Sequence, residues 1–256
     1  MEKPDFEYKG LMAQAWDVLR GDTSNWSDRF FYLDLIKHCG QPVLDVGCGT
    51  GRLLLDFLAQ GIDIDGVDNS PEMLAICRQK AQQKGLSPNL YEQFVEELNI
   101  ARKYQVILIP SSSIQLIIDP ALVRRAIQNL YDLLLPGGVL VASIMTIWQE
   151  GDPLFSEWTK TAVDPTSGYE YRRLARSWYD PQSECERTED IYQLVLGDAI
   201  IKEEFHQRNP ATRSYTQDQA LQLFNSISFD KVEFFHEFTL EPVQESDTLF
   251  TVVAEK

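Results

Sequence analysis

The sequence has few cysteines, and none is spaced like a metal ligand or a disulfide framework. The four cysteines, Cys39, Cys48, Cys77 and Cys185, lie far apart in 256 residues and form no C-x-x-C pair. Zinc sites usually use such pairs, and small disulfide-stabilised domains have a much higher density of cysteine. We therefore expect reduced thiols, no disulfide and no bound metal.

Basic residues are also scarce. The chain has 23 Lys and Arg against 39 Asp and Glu, which gives a formal net charge of -16. A protein that follows the phosphates of DNA or RNA needs clustered Lys and Arg. The composition therefore excludes a typical nucleic-acid binder and favours a small-molecule partner. We also expect the protein to be a monomer or a homodimer.

Long hydrophobic runs are absent. No apolar run reaches the roughly 18 residues that a membrane-spanning helix requires, and the first ten residues, "MEKPDFEYKG", carry charges where a secretory signal needs an apolar core. We expect no membrane association and a cytoplasmic location.

The first half of the chain alternates strands with helices. Buried or alternating apolar runs predict strands at 41–46, 62–68, 89–95, 104–110 and 139–145, and helical spacing predicts helices at 52–59, 71–85 and 120–135. This alternation predicts βαβ units and a parallel sheet, so the fold class is α/β.

The second half differs, because β-forming residues and turn signals predominate after Trp148. Three antiparallel strands are predicted at 169–180, 186–197 and 199–206, followed by a helix from Thr216 to about Asn225 and two strands at 231–238 and 248–255. We interpret the chain as one domain with four parts: an N-terminal helical cover (1–40), a cofactor-binding core (41–148), an antiparallel β insertion that forms the acceptor site (149–212), and a last helix with two strands (213–256).

One short stretch, "PVLDVGCGTGR", places three glycines at the turn between the first strand and the first core helix. Glycines at Gly47, Gly49 and Gly51 let the backbone approach a ligand, and the exposed N–H groups of the helix start can bind an anionic group. Asp68 ends the next strand about 20 residues later, where a carboxylate can accept hydrogen bonds from both hydroxyls of a ribose. The pattern predicts a cofactor that contains ribose.

The glycine spacing G-x-G-x-G resembles that of class I S-adenosylmethionine-dependent methyltransferases, whereas dinucleotide sites use G-x-G-x-x-G. "VLDVGCGTGR", "GVDNSPEML", "VILIPSSS" and "LLLPGGVLV" resemble four successive motifs of that family and cover about 41–145. The resemblance implies a Rossmann-like, mostly parallel seven-stranded sheet with helices on both faces, and S-adenosyl-L-methionine as cofactor.

The same resemblance implies a role for each matching position. Residues at the methionine end of the cofactor would be Asp45, Gly47, Cys48 and Gly49, with Ser111 as a wall of the pocket, and Asp68 would hold the ribose. Residues around the adenosine would be Asn69, Met73, Phe94 and Val95. Phe94 stands where the family often has an acidic residue that contacts the adenine amino group, so either stacking by Phe94 or a contact from Glu96 would replace it.

The outer parts resemble the small-molecule branch that includes glycine and aminosugar N-methyltransferases. Candidate acceptor-site residues are Trp16, Tyr32, Ser112, Gln115, Trp148 and Arg173, and His206 is the candidate general base. Each also has an ordinary structural interpretation, since aromatic side chains build cores, a serine run after a strand can be a simple loop, and a histidine at a strand end is often a surface residue.

The predicted function is in-line transfer of a methyl group to nitrogen or oxygen of a small molecule. An activated methyl group needs a close, aligned nucleophile in a dry pocket, and no metal. One alternative is a non-catalytic protein that binds S-adenosylmethionine, which the departure at Phe94 supports. A nicotinamide-dependent oxidoreductase is disfavoured by the glycine spacing.

Overall fold

The computed structural model describes residues 8–256, which form two β-sheets and six α-helices. The first sheet contains β1 Val43–Val46, β2 Ile64–Asp68, β3 Asn89–Glu92, β4 Tyr104–Ile109, β5 Leu134–Met145, β10 Lys231–His236 and β11 Leu249–Glu255. The second sheet contains β6 Phe155–Val163, β7 Glu170–Asp180, β8 Cys185–Leu196 and β9 Ala199–Arg213. The helices are α1 Gly10–Arg20, α2 Ser27–Cys39, α3 Arg52–Ala59, α4 Pro71–Gln83, α5 Pro120–Leu133 and α6 Gln217–Asn225.

The first sheet has the strand order β10-β11-β5-β4-β1-β2-β3. Its strands are parallel from β5 to β3, and β11 runs antiparallel to both β5 and β10. The carboxyl ends of β1, β2 and β4 therefore meet at one edge, where ligands bind in open parallel sheets. The predicted α/β fold with a mostly parallel seven-stranded sheet is confirmed.

Helices cover both faces of the first sheet, because its central strands are apolar on both sides. One buried cluster packs α5 and α6 against the sheet, and a second packs α2, α3 and α4 against the opposite face. Burial of apolar side chains on both faces is what the uninterrupted apolar strand sequences predicted.

Local signals set the helix starts. The Ser70 hydroxyl accepts a hydrogen bond from the Met73 N–H at 3.1 Å, with Pro71 at the first helical position. Thr216 and Gln219 form a reciprocal capping box at α6. Such caps satisfy N–H groups that the helix itself leaves unpaired, so these starts were readable from the sequence.

The second sheet differs from the prediction of three strands. A fourth strand, β6, precedes the other three, and its residues are almost all exposed. Its sequence "FSEWTKTAV" has no apolar face to bury, so the hydrophobic pattern gave no signal. β9 also continues past His206 to Arg213, and β3 ends at Glu92, before a 3-10 turn at Val95–Glu97.

The N-terminal cover divides between the two sheets. α1 packs its apolar side chains Leu11, Met12, Ala15 and Leu19 against Tyr192 of the second sheet. α2 packs on the first sheet through Tyr32, Leu33 and Ile36. α1 therefore packs on the second sheet and α2 on the first. Within residues 8–256, no helix has the length and apolar character to cross a membrane.

Candidate active site

The glycine turn, residues 47–51, connects β1 to α3 at the carboxyl edge of the first sheet. Gly47 and Gly51 have φ of 69° and 83°, in the left-handed region. A Cβ at Gly47 would lie 2.9 Å from the Ser113 hydroxyl oxygen, and one at Gly51 would lie 2.6 Å from the Cys77 sulfur. Both conformation and space therefore require glycine, and the turn presents bare backbone to the cleft.

Asp68 lies beside this turn and is held in place by backbone groups. Its two carboxylate oxygens accept hydrogen bonds from the Gly49 N–H at 2.9 Å and the Ser70 N–H at 2.8 Å. Burial raises the pKa of Asp68, while those hydrogen bonds oppose the shift. Each carboxylate oxygen keeps a further acceptor site, so the side chain remains able to bind ribose hydroxyls.

Asp45 is a buried carboxyl with an unsatisfied oxygen. It is 1% exposed, and its Oδ1 has no hydrogen-bond partner; nor has the hydroxyl of the buried Tyr32. Burial raises the pKa of Asp45 to about 7, with the nearby Arg52 opposing the shift and Asp68 adding to it. An unsatisfied buried acceptor at the sheet edge where ligands bind calls for a donor, ideally a cationic one.

Tyr32 therefore has a different place from the predicted one. Its ring is fully buried and packs edge to face with Phe31 and Phe238, and burial raises the pKa of its hydroxyl. The electrostatic neighbours of that hydroxyl include Asp45 and Arg52. Tyr32 is thus a fully buried core residue near Asp45, and its ring is not exposed to an acceptor.

The other predicted cofactor residues surround the same edge. Cys48 is buried, and burial raises the pKa of its thiol well above its usual value. The Met73 methyl carbon would be 3.2 Å from a Cβ at Gly49, so Met73 packs against the turn. Asn69 follows Asp68 directly, and Phe94 lies just beyond the end of β3. Val95 instead packs against the hydrophobic core, which leaves it a structural role.

The loop after β4 has a strained backbone. Ser111 and Ser112 have φ of 56° and 55°, values that non-glycine residues rarely adopt and that concentrate at functional sites. The Ser112 N–H donates to the Ser143 hydroxyl at 3.0 Å. This contact fixes the loop against β5 and turns it toward the glycine turn.

Arg20 is a candidate that the sequence did not reveal. Its guanidinium stacks over Trp16 at 4.3 Å and reaches the Ser111 hydroxyl at 3.4 Å. Burial lowers the pKa of Arg20, and the like charge of Arg52 adds to the effect. The carboxylate of the nearby Asp17 is already bound to Lys80 and Thr50. Arg20 therefore places a cation at the end of β4, available to an anionic ligand group.

Gln115 was predicted to contact the acceptor, and the structure gives it another role. Its side chain is 0% exposed. Its amide nitrogen donates to the carbonyl oxygens of Met145 at 2.8 Å and Arg213 at 2.7 Å, and its oxygen accepts from the Met145 N–H at 2.7 Å. With these bonds made, Gln115 joins the end of β5 to the end of β9 and is not free for a substrate.

The inward face of the second sheet carries polar groups near α1. The Arg173 guanidinium binds Asp190 at 2.7 Å and stacks over Trp158 at 4.7 Å. Asp190 is opposite His206 in the β8–β9 register, so both side chains share this face. Because alternate residues of a strand point to opposite faces, at most one of Arg172 and Arg173 can lie on this face, and the contact with Asp190 places Arg173 there.

Trp148 lies where the chain leaves the first sheet. Its ring stacks on Tyr179 of the second sheet with centroids 5.3 Å apart, and its indole nitrogen donates to the Asp152 carbonyl at 2.8 Å. The face around Arg173 and His206 is thus bounded by α1 on one side and by this aromatic pair on the other.

Residues 43–138 match the family model described as a methyltransferase domain. A putative methyltransferase of Geobacillus sp. strain WCH70 is 27% identical over 248 residues, which cover 95% of this chain and 98% of the relative. These two matches support the predicted enzyme class, a methyltransferase.

Solved structures show the same fold. An S-adenosylmethionine-dependent methyltransferase from Clostridium acetobutylicum has a TM-score of 0.77 at 19% identity, covering 94% of this chain and 96% of the other. The sugar N-methyltransferase KedS8 from Streptoalloteichus sp. has a TM-score of 0.70 at 19% identity, covering 100% and 97%. The fold is therefore that of the S-adenosylmethionine-dependent methyltransferases, which agrees with the predicted enzyme class and cofactor.

The residues at this edge of the first sheet suit the cofactor. The unsatisfied Asp45 oxygen and the bare backbone at Gly47 fit the amino group and the adjacent chain of the cofactor's methionine end, and Asp68 fits the ribose. Across residues 8–256, no group of three or more His, Cys, Asp or Glu side chains is arranged to hold a metal ion.

Proposed function

We propose that this methyltransferase transfers the methyl group of S-adenosylmethionine to a nitrogen or oxygen atom of a small-molecule acceptor. The position of helix α1 is the main support for this proposal, because α1 contacts both the glycine turn and the second sheet. Its Asp17 accepts a hydrogen bond from Thr50 of the glycine turn at 2.7 Å, and its apolar face packs on the second sheet beside Tyr192. One helix therefore holds the cofactor edge against the polar inward face.

The bound cofactor supplies a methyl group that is already activated by its sulfonium. The chain's own residues hold and align the reactants, which is where the rate of such a transfer is gained. Asp45 and Tyr32 would hold the amino end of the cofactor, Asp68 the ribose, and Met73 with Phe94 the adenosine. Arg20 offers a cation for the carboxylate.

On the acceptor side, Arg173 and Asp190 offer a charged pair that can orient a polar molecule, and Trp16 and Trp148 exclude water. His206 is the group proposed to take the proton that the attacking nitrogen or hydroxyl loses. Its side chain is 11% exposed, so it is largely but not completely buried.

The division of labour is part of the proposal: residues 41–148 bind the cofactor, and the cover with residues 149–212 forms the acceptor site. The absence of nucleic-acid binding, a cytoplasmic location and a monomeric or homodimeric state also stay predictions. The net charge of -16 supports the first of these.

The test combines binding and turnover. Calorimetry with S-adenosylmethionine, S-adenosylhomocysteine and NAD is expected to show binding of the first two only. Incubation with S-adenosylmethionine and pools of small amines, phenols and carboxylates is expected to release S-adenosylhomocysteine and to yield a methylated product. His206→Ala should abolish most turnover and preserve cofactor affinity, whereas Lys231→Ala, an exposed change on β10, serves as control. Binding without any transfer would instead support a non-catalytic binding protein.

A further inference from the structure

Glu204, on the inward face of β9, makes more contacts than a surface carboxylate normally does. Its Oε1 binds the Lys202 ammonium at 2.7 Å. Its Oε2 accepts a hydrogen bond from the Leu11 N–H at 2.6 Å and lies 3.2 Å from Nε2 of His206. The same oxygen thus contacts the first turn of α1 and the proposed base.

These contacts decide which nitrogen of neutral His206 carries the proton. An ionised carboxylate has no proton to donate, so the His206–Glu204 hydrogen bond requires Nε2–H. The hydrogen bonds from Lys202, Leu11 and His206 outweigh burial and lower the pKa of Glu204, which keeps it ionised. In the part of the chain that the structure describes, Nδ1 of His206 has no hydrogen-bond partner. Nδ1 is therefore the basic nitrogen.

The start of α1 is fitted closely to this carboxylate. Gly10 has a φ of 57°, and a Cβ there would lie 2.2 Å from Oε2 of Glu204. The Gly10 N–H donates to Glu72 of α4 at 2.7 Å. Two carboxylates, Glu72 and Glu204, therefore hold two successive N–H groups at the positive end of the helix. Only Glu204 also touches His206.

We propose that Glu204 is a positioning residue that couples the seating of α1 to the tautomer of His206. With α1 seated, Glu204 holds Nε2–H, and Nδ1 is left to accept the acceptor's proton. The acceptor's N–H or O–H bond would break toward Nδ1 and leave its electron pair on the acceptor atom, which would form the new bond to the methyl carbon. The methyl–sulfur bond would break with its electron pair kept by sulfur, S-adenosylhomocysteine would leave, and the imidazolium would be balanced by the Glu204 carboxylate. The inference rests on the proposed function of His206 as the base.

Lys202 and Asp190, which share this face, are already paired. Lys202 is bound to Glu204, and Asp190 of β8 is bound to Arg173 of β7. Tyr192 of β8 packs edge to face with the His206 ring at 5.4 Å. Glu204 is thus the carboxylate in contact with His206, and its position depends on α1.

The imidazole ¹⁵N signals of His206 report the tautomer directly. In the full-length protein we expect a single Nε2–H tautomer when His206 is neutral. Glu204→Gln and Gly10→Ala should both give a mixture of tautomers, since the first removes the carboxylate and the second moves α1 away from it. Glu72→Gln, the matched control, keeps a side-chain oxygen that can accept the Gly10 N–H, so α1 should stay seated and the tautomer should be unchanged. An Nδ1–H tautomer in the wild-type protein, or no change in Glu204→Gln, would overturn the proposal.

Activity separates this inference from the function on which it rests. Loss of a general base costs about 10²–10⁴-fold in rate, and we expect Glu204→Gln to lower kcat by about tenfold and to alter its pH profile, with unchanged affinity for S-adenosylhomocysteine. Glu72→Gln should keep the wild-type profile. If no acceptor is methylated at all, the proposed function fails, while the tautomer measurement still decides the role of Glu204.

Discussion

Replacing Asp68 with alanine tests the ribose contact and the glycine turn together. A hydrogen bond to an ionised group contributes about 1.5–3 kcal/mol. Loss of the ribose contact should therefore raise the Kd for S-adenosylhomocysteine about 10–100-fold. The Gly49 and Ser70 N–H groups also lose their acceptor. Because Asp68 is only partly buried, water can replace it there, and we expect the free energy of unfolding to fall by about 1–3 kcal/mol.

Calorimetry with S-adenosylhomocysteine measures the affinity, and urea unfolding measures the stability. Asp164→Ala is the matched control, because the Asp164 carboxylate also accepts a hydrogen bond from a backbone N–H two residues later, Thr166 at 3.0 Å, but in a turn of the second sheet. The control should keep full affinity. An Asp68→Ala protein that is folded and binds S-adenosylhomocysteine as tightly as the wild type would refute the assignment of Asp68 to the ribose.

Three further outcomes follow from the site. Burial raises the pKa of Asp45 to about 7 in the ligand-free protein, so the free energy of unfolding falls as the pH rises from about 4 to 7. Pairing with the cofactor's amino group would lower that pKa. Affinity for S-adenosylhomocysteine should then increase with pH, by at most about tenfold per unit, and level off above 7; in calorimetry, Asp45→Asn should lose this dependence. Gln115→Met should lower the free energy of unfolding in urea by about 3 kcal/mol, since three buried hydrogen bonds are lost. A change near zero would contradict the role of Gln115 in joining β5 to β9. Arg173→Met should destabilise the protein by about 3 kcal/mol by leaving the buried Asp190 unpaired, and adding Asp190→Asn should restore much of that stability in the same assay.

The core of the fold could be predicted because its signals are local. The glycine turn, the caps at Ser70 and Thr216, and the apolar strands each depend on a few consecutive residues. The strand β6 could not be predicted from burial, since its side chains are exposed and it is held by backbone pairing with β7. Pairing between strands is set by register, which a single sequence does not display.

Some residues of the candidate site could be predicted from the sequence, and others could not. Asp45, Gly47 and Asp68 lie where the motif spacing placed them, at the edge of the first sheet. Gln115 was misjudged because its partner carbonyls, on Met145 and Arg213, are far away in sequence and are the backbone of other strands. The sequence did not predict a role for Arg20 or Glu204 for a related reason. Each makes its contact between α1 and an element far away in sequence, and neither belongs to a known motif.

The link that Gln115 makes between the ends of β5 and β9 also bears on how such a protein could change its substrate. The chain leaves the first sheet and returns to it at adjacent points, since the Ile147 N–H donates to the Ser214 hydroxyl at 2.9 Å and the Thr146 hydroxyl to the Tyr215 carbonyl at 2.9 Å. The segment between Ile147 and Ser214 is therefore one insertion whose two ends lie next to each other. Recombination at this junction would exchange the whole second sheet as a unit and leave the first sheet with its glycine turn unchanged.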